Sequence, residues 1–196
     1  NITTPEQTSI DLTCAGNAYD LEVDSGNNVQ LQATTTIDND LTISSGTLKS
    51  GSTKRILTVT GDVDVTGTLG ASETEAWTFG TLTINSGGVY EATSGTTTLT
   101  AIKSGVSLDF QSGATFTHNS GKVRVSVDGE TRIKPFDGND LTLWYLQISG
   151  NNVRLDWGGS ETRVDINNDL TIDAGDKLLF TPSYDLTVLG NVSISG

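Results

Sequence analysis

The chain has 196 residues, 24 of them acidic and 11 basic, giving a formal charge of −13, with one cysteine and no methionine. A field of that sign repels phosphate backbones and anionic surfaces, so nucleic acid is a disfavoured partner. The single thiol, Cys14, excludes an internal disulfide and a thiolate metal cluster. No apolar run reaches the roughly 18 residues a membrane-spanning helix needs, so membrane insertion is not expected.

In chain order, the opening Asn1-Ile2-Thr3-Thr4-Pro5 lacks the basic-then-apolar order of a secretory leader. Without a methionine the chain is expected to be a processed protein or a piece of a longer one. Leu21-Glu22-Val23 before Gly26 and Leu41-Thr42-Ile43 before Gly46 each predict a strand with two inward side chains, closed by a turn. Between 57 and 67, Leu-Thr-Val-Thr-Gly-Asp-Val-Asp-Val-Thr-Gly predicts two neighbouring strands. A tight hairpin wants two central residues at positive φ. Thr60-Gly61-Asp62 offers one, so a bend into a new face is expected instead. Leu82-Thr83-Ile84 before Gly87 and Leu170-Thr171-Ile172 before Gly175 repeat the pattern, while residues 111–139 depart from it.

Candidate chemistry is thin. Asp38-Asn39-Asp40 and Asn167-Asn168-Asp169 are oxygen-rich, but neither matches a calcium-binding spacing, and turn formation is their simpler role. Glu73 and Glu75, then Asp137, Asp140, Asp156 and Glu161, are the carboxylates available for acid–base work. Turn capping and protection of strand edges account for them better, so no enzyme activity, metal or cofactor is expected. His118, the only histidine, is read as a polar surface residue. Lys122, Arg124, Arg132 and Lys134 form a local basic set, either a small anion-binding stripe or ordinary solvated strand residues, with the second favoured. Trp144, Tyr145 and Trp157 are the candidate ligand-binding residues because aromatic rings stack on sugar faces, and Trp77 is placed in an analogous loop. If Trp144 and Tyr145 share a strand they point to opposite sides of it, one of them outward. Asn1-Ile2-Thr3 and Asn191-Val192-Ser193 match the short glycosylation pattern, a match common by chance.

The firmest feature is an internal duplication. Residues 37–67 align with 166–196 without a gap at an offset of 129, with 13 of 31 positions identical. Ser25-Gly26-Asn27-Asn28-Val29 recurs as Ser149-Gly150-Asn151-Asn152-Val153 at an offset of 124, so five residues were gained between them. The duplicated modules are 19–67 and 145–196 of a single domain, in an array expected to run on past Gly196. Beneath this, apolar-x-apolar triplets start near 21, 41, 63, 82, 102, 123, 141, 164 and 186, a spacing of about 20. Periods of this kind mark repeat architectures whose units bury one another. The expected fold is all-β, a right-handed parallel β-solenoid of about nine rungs, on the order of 45 Å long at ~4.8 Å per rung. An antiparallel sandwich or jelly roll is the alternative.

The run Leu57-Thr-Val-Thr-Gly-Asp-Val-Asp-Val-Thr-Gly-Thr-Leu69 and the Asp-Leu-Thr-Ile boxes at 40–43 and 169–172 resemble the degenerate β-helical repeats of bacteriophage tail-fibre or appendage proteins. They are also similar to the passengers of bacterial autotransporters and filamentous adhesins. The resemblance implies an extracellular or virion-surface location and a structural or adhesive role as a shaft or spacer. Partners would be other copies or other structural subunits, and cell-surface glycans. A carbohydrate-binding or polysaccharide-depolymerising β-helix using residues 137–163, and a subunit of a self-assembling extracellular filament, are the alternatives.

Overall fold

The computed structural model describes residues 9–12, 18–51, 54–71, 73–135, 140–150, 152–155, 163–180 and 185–195. The chain coils into an all-β parallel solenoid of about 7 turns, with rungs of about 22 residues and no helix among the described residues. Each complete turn visits three faces. The first carries Ser9–Leu12, residues 28–31 and 47–50, Thr68–Gly70, Val89–Glu91 and Thr115–Thr117, each paired in parallel with the next. A second ladder on that face joins Leu141–Leu143, Arg163–Ile166 and Asp185–Val188. The second face runs from Thr35–Ile37 through residues 57–59 and 76–79, Thr96–Leu99, Lys122–Val125, Tyr145–Ile148 and Leu170–Ile172 to Val192–Ile194. The third runs from residues 21–23 through 41–43, 63–65, 82–84, 108–110, Thr131–Pro135 and Asn152–Leu155 to Lys177–Phe180. The long strand Leu57–Val65 bends at Thr60–Asp62 from the second face to the third and pairs in parallel with turns on both sides, so it is not a hairpin.

Period-two alternation explains the core. Along each strand every second side chain points into the coil, and Val23, Ile43, Leu57, Val63, Leu108, Ile133, Leu146 and Ile166 are all fully buried. Midway along the axis the interior widens to hold aromatic rings. Trp77, Phe79, Tyr90 and Phe116 form a chain with neighbouring centroids 5.9, 6.3 and 5.4 Å apart. Trp77 is thus a core plug, not a loop residue, and its indole N–H donates to the Arg55 carbonyl at 2.9 Å. Tyr90, held among these rings, shares a 2.7 Å hydrogen bond with the Thr97 hydroxyl, and burial pushes its phenol well above the ordinary range.

Corners are where the sequence punctuates. The glycines that follow the four triplets, Gly26, Gly46, Gly87 and Gly175, all sit at positive φ, 63, 74, 79 and 85°, a conformation costly for side chains with a Cβ. Gly61 has a different reason. Its N–H donates to the Asn39 carbonyl at 2.8 Å and the next N–H, of Asp62, donates to Asp40 Oδ1 at 2.8 Å. A Cβ on Gly61 would lie 2.2 Å from that carboxylate oxygen. The same box recurs in the second copy. Gly190 N–H bonds the Asn168 carbonyl at 2.9 Å and Asn191 N–H bonds Asp169 Oδ1 at 2.8 Å.

The two copies nevertheless occupy different faces. Residues 41–43 and 63–65 lie on the third face, whereas their counterparts 170–172 and 192–194 lie on the second. The offset of 129 is not a whole number of 22-residue turns, so the duplicated segment is displaced by one side of the triangle. The short period drifts for a related reason. Paired residues on the third face are 20, 22 and 19 apart up to Leu82, then 26 apart between Leu82 and Leu108. The triplets near 21, 41, 63 and 82 therefore share a face, while that at 123 lies on the second and those at 141, 164 and 186 on the first. Residues 111–135 do not depart from the coil, and residues 136–139 lie outside the described residues. Thr115–Thr117, Lys122–Val125 and Thr131–Pro135 are one more complete turn, lengthened at its corners.

Gly61→Ala is expected to lower stability by about 1–3 kcal/mol, the range of overpacking at a close contact. Thr60→Ala, at the neighbouring exposed position, should stay within about 0.5 kcal/mol of the parent in urea melts.

Candidate functional site

The aromatic pair selected from the sequence does not share a strand. Trp144 occupies the corner between Leu141–Leu143 and Tyr145–Ile148, and both side chains are half-buried. One turn below, the His118 ring stacks on the Trp144 indole with centroids 5.4 Å apart and planes inclined by 28°. One turn above, Asn168, its amide oriented to accept, takes the indole N–H at 3.2 Å. Tyr145 is tied likewise. Lys122 Nζ lies 4.5 Å from its ring centroid, and its hydroxyl shares a 2.6 Å hydrogen bond with Thr171. A shallow hollow of about 340 Å³, lined in part by Lys122, Trp144, Tyr145, Asn168 and Asp169, opens at this corner. His118 and Lys122 already occupy ring surface that a sugar would need, so the cluster acts first as a tie between successive turns. Trp157 lies outside the described residues.

The basic set divides between two faces. Lys122 and Arg124 project from the second, Arg132 and Lys134 from the third, so they form no continuous stripe. Arg124 Nη2 donates to Ser149 Oγ at 2.7 Å and Lys134 Nζ lies 3.3 Å from Asp109 Oδ2. His118 Nδ1 accepts the Ser120 N–H at 2.9 Å. Among the carboxylates, Asp140 pairs with Arg163 at 3.5 Å, and Glu75, 2 % exposed, accepts the Ser50 hydroxyl inside the coil. Asp137, Asp156 and Glu161 lie outside the described residues. Among the described residues no three His, Cys, Asp or Glu side chains gather in a way that holds a metal ion.

What the first oxygen-rich triplet helps build is a ladder along the corner between the second and third faces. Asp20 Oδ1 accepts from Asn39 Nδ2 at 2.8 Å and from the Asp40 N–H at 3.2 Å, Asp40 accepts from Asp62 N–H, and Asp62 Oδ1 accepts the Thr81 hydroxyl at 2.7 Å. Three carboxylates on successive turns would repel, and Lys103 closes the row. Its ammonium lies 2.8 Å from Asp62 and 3.5 Å from Asp64. Partial burial acts to raise the Asp62 carboxyl, but hydrogen bonds from Lys103 and Thr81 and the Lys103 charge outweigh it, and its pKa falls below the ordinary value. The hydrogen bond to Asp62 raises Lys103 in turn. Sequence reasoning missed this contact because Lys103 sits on an inserted hairpin that folds back over earlier turns. Ser104-Gly105, a pair suited to a type I′ turn, was the available signal.

Comparison with family models, with curated proteins and with solved structures finds no match to this chain.

Lys103→Ala is expected to cost at most about 1 kcal/mol, since the lysine is half exposed and screened. The depressed Asp62 contributes above the ordinary carboxylate range and is lost as pH falls through its lowered value. The raised Lys103 contributes below the ordinary ammonium range and is lost as pH rises through its raised one. The difference between parent and variant in urea melts should therefore be full from about pH 4 to about pH 10 and shrink outside that window.

Proposed function

We propose that this chain is a shaft or spacer segment of a fibre on a cell or virion surface, structural and adhesive in role, with contacts made by loops or by neighbouring domains. The observation that carries this reading is the stack of parallel turns, whose ladders run through the second and third faces without a break. Each turn buries its inward Leu, Ile and Val against the next, so the molecule extends along an axis, with about seven turns spanning roughly 34 Å. The outward positions are mainly Thr, Ser, Asn and charged residues, which suits a solvated stalk. Immunogold labelling with an antibody to this chain, read by electron microscopy on the native particle or cell, should place the label at a fixed height along a fibre. Label confined to a soluble fraction or to a globular base would refute the reading.

A further inference from the structure

Between the second and third faces, the turn that follows Leu99 carries extra residues, and these form a small hairpin that stands off the coil. Lys103 and Val106 exchange backbone hydrogen bonds at 2.9 Å in both directions, Ser104 and Gly105 take positive φ at the tip, and the Ser107 hydroxyl anchors the base on the Ala101 carbonyl at 2.7 Å. The hairpin and the outer surface of the third face enclose a bay of about 420 Å³.

The floor of the bay is a column along the fibre axis. Asp64, Thr83, Asp109 and Lys134 lie in register on four successive turns, a length of roughly 14 Å at ~4.8 Å per turn. The wall adds Lys103 and Ser104. Acceptors and donors therefore alternate along a straight line in a rigid frame, and the lining as a whole sets two carboxylates against two ammonium groups and the Arg132 guanidinium. Asp109 supplies a second observation. Its Oδ2 faces Lys134 at 3.3 Å, while Oδ1, shielded from solvent, has no hydrogen-bond partner. A sheltered carboxylate oxygen without a donor is a destabilising feature that a ligand hydroxyl can relieve.

We propose that this bay is a saccharide subsite that takes an uncharged, hydroxyl-rich glycan chain lying parallel to the coil axis. Sugar hydroxyls both donate and accept, which fits alternating carboxylate, hydroxyl and ammonium groups. Three cationic groups against two carboxylates leave the bay within one charge of neutral, so a strongly anionic chain gains little there, on a molecule of net charge −13 that repels it at a distance. The inference deepens the adhesive part of the proposed function and rests on it, but it places the contact on the third face, away from the Trp144 corner.

The test is a glycan array with neutral and uronic-acid oligosaccharides as separate arms and a mixed-charge peptide as a third, followed by calorimetry on hits with the full chain. Neutral oligosaccharides should be retained. Thr83→Arg, which fills the bay from a half-buried outward position, should weaken binding by about tenfold or more, and Asp109→Asn should weaken it by about threefold or more. Thr98→Arg on the second face and Trp144→Ala should leave affinity within about twofold of the parent. Circular dichroism confirms that each variant keeps its β signal. Retention of no neutral glycan at millimolar concentration, preference for the uronic-acid or peptide arm, or equal effects of Thr83→Arg and Thr98→Arg would each overturn the proposal. A chain located on a fibre that binds no glycan ends this inference and leaves the shaft reading standing, while a glycan-binding chain found off any fibre does the reverse.

Discussion

Everything in this molecule depends on one constraint: no turn of the coil can bury its own inward side chains. Val63 and Val65 are covered by Leu41 and Ile43 on one side and by Leu82 and Ile84 on the other, through parallel strands held in register by backbone hydrogen bonds. Hydrophobic burial and backbone pairing therefore act along the same axis, and neither is complete without neighbours above and below. A chain built this way has no centre to close around. Its stability is a sum over adjacent turns.

The corners decide whether such a stack stays in register. Asn-Asp on one turn and Gly followed by Asp or Asn on the next form a small hydrogen-bonded box that sets the lateral position of one turn on another. The box at 39–40 and 61–62 joins the second face to the third, and the box at 168–169 and 190–191 joins the first to the second. These two corners are thus similar enough for one sequence solution to serve at either place. A duplication can then insert at a fraction of a turn and still fold.

Outward-facing groups act within this frame. Most of the side chains that looked like chemistry in the sequence connect turns to one another. His118, Trp144 and Asn168 climb one corner, Asp20, Asp40 and Asp62 climb another, and Lys49 reaches two turns to Glu91 at 3.1 Å across Gly70, where a Cβ would come within 2.6 Å of that carboxylate. Ties of this kind are weak singly and repeat along the axis. The inserted hairpin at 103–106 interrupts this economy of short corners and builds a wall, which gives the third face its recess.

Alternation of apolar and polar residues, glycines after each triplet and the gapless duplication determined from sequence alone that the chain is all-β and that it repeats, and they favoured turns stacked in parallel over an antiparallel sandwich. These are local properties, set by side-chain period and by the φ values that only glycine takes easily. Which face each triplet occupies was not legible, because corner lengths change the phase and a triplet looks the same on any side of the triangle. The fate of individual polar residues was hidden for a similar reason. Trp77 reads like a loop aromatic and is a core plug, Trp144 reads like a strand residue and is a corner tie, and the turn pair Ser104-Gly105 signals a hairpin without saying that Lys103 folds back onto Asp62 and Asp64. Those outcomes depend on which residues lie one turn away, a distance of some 20 to 26 positions along the chain, and only the tertiary structure fixes that spacing.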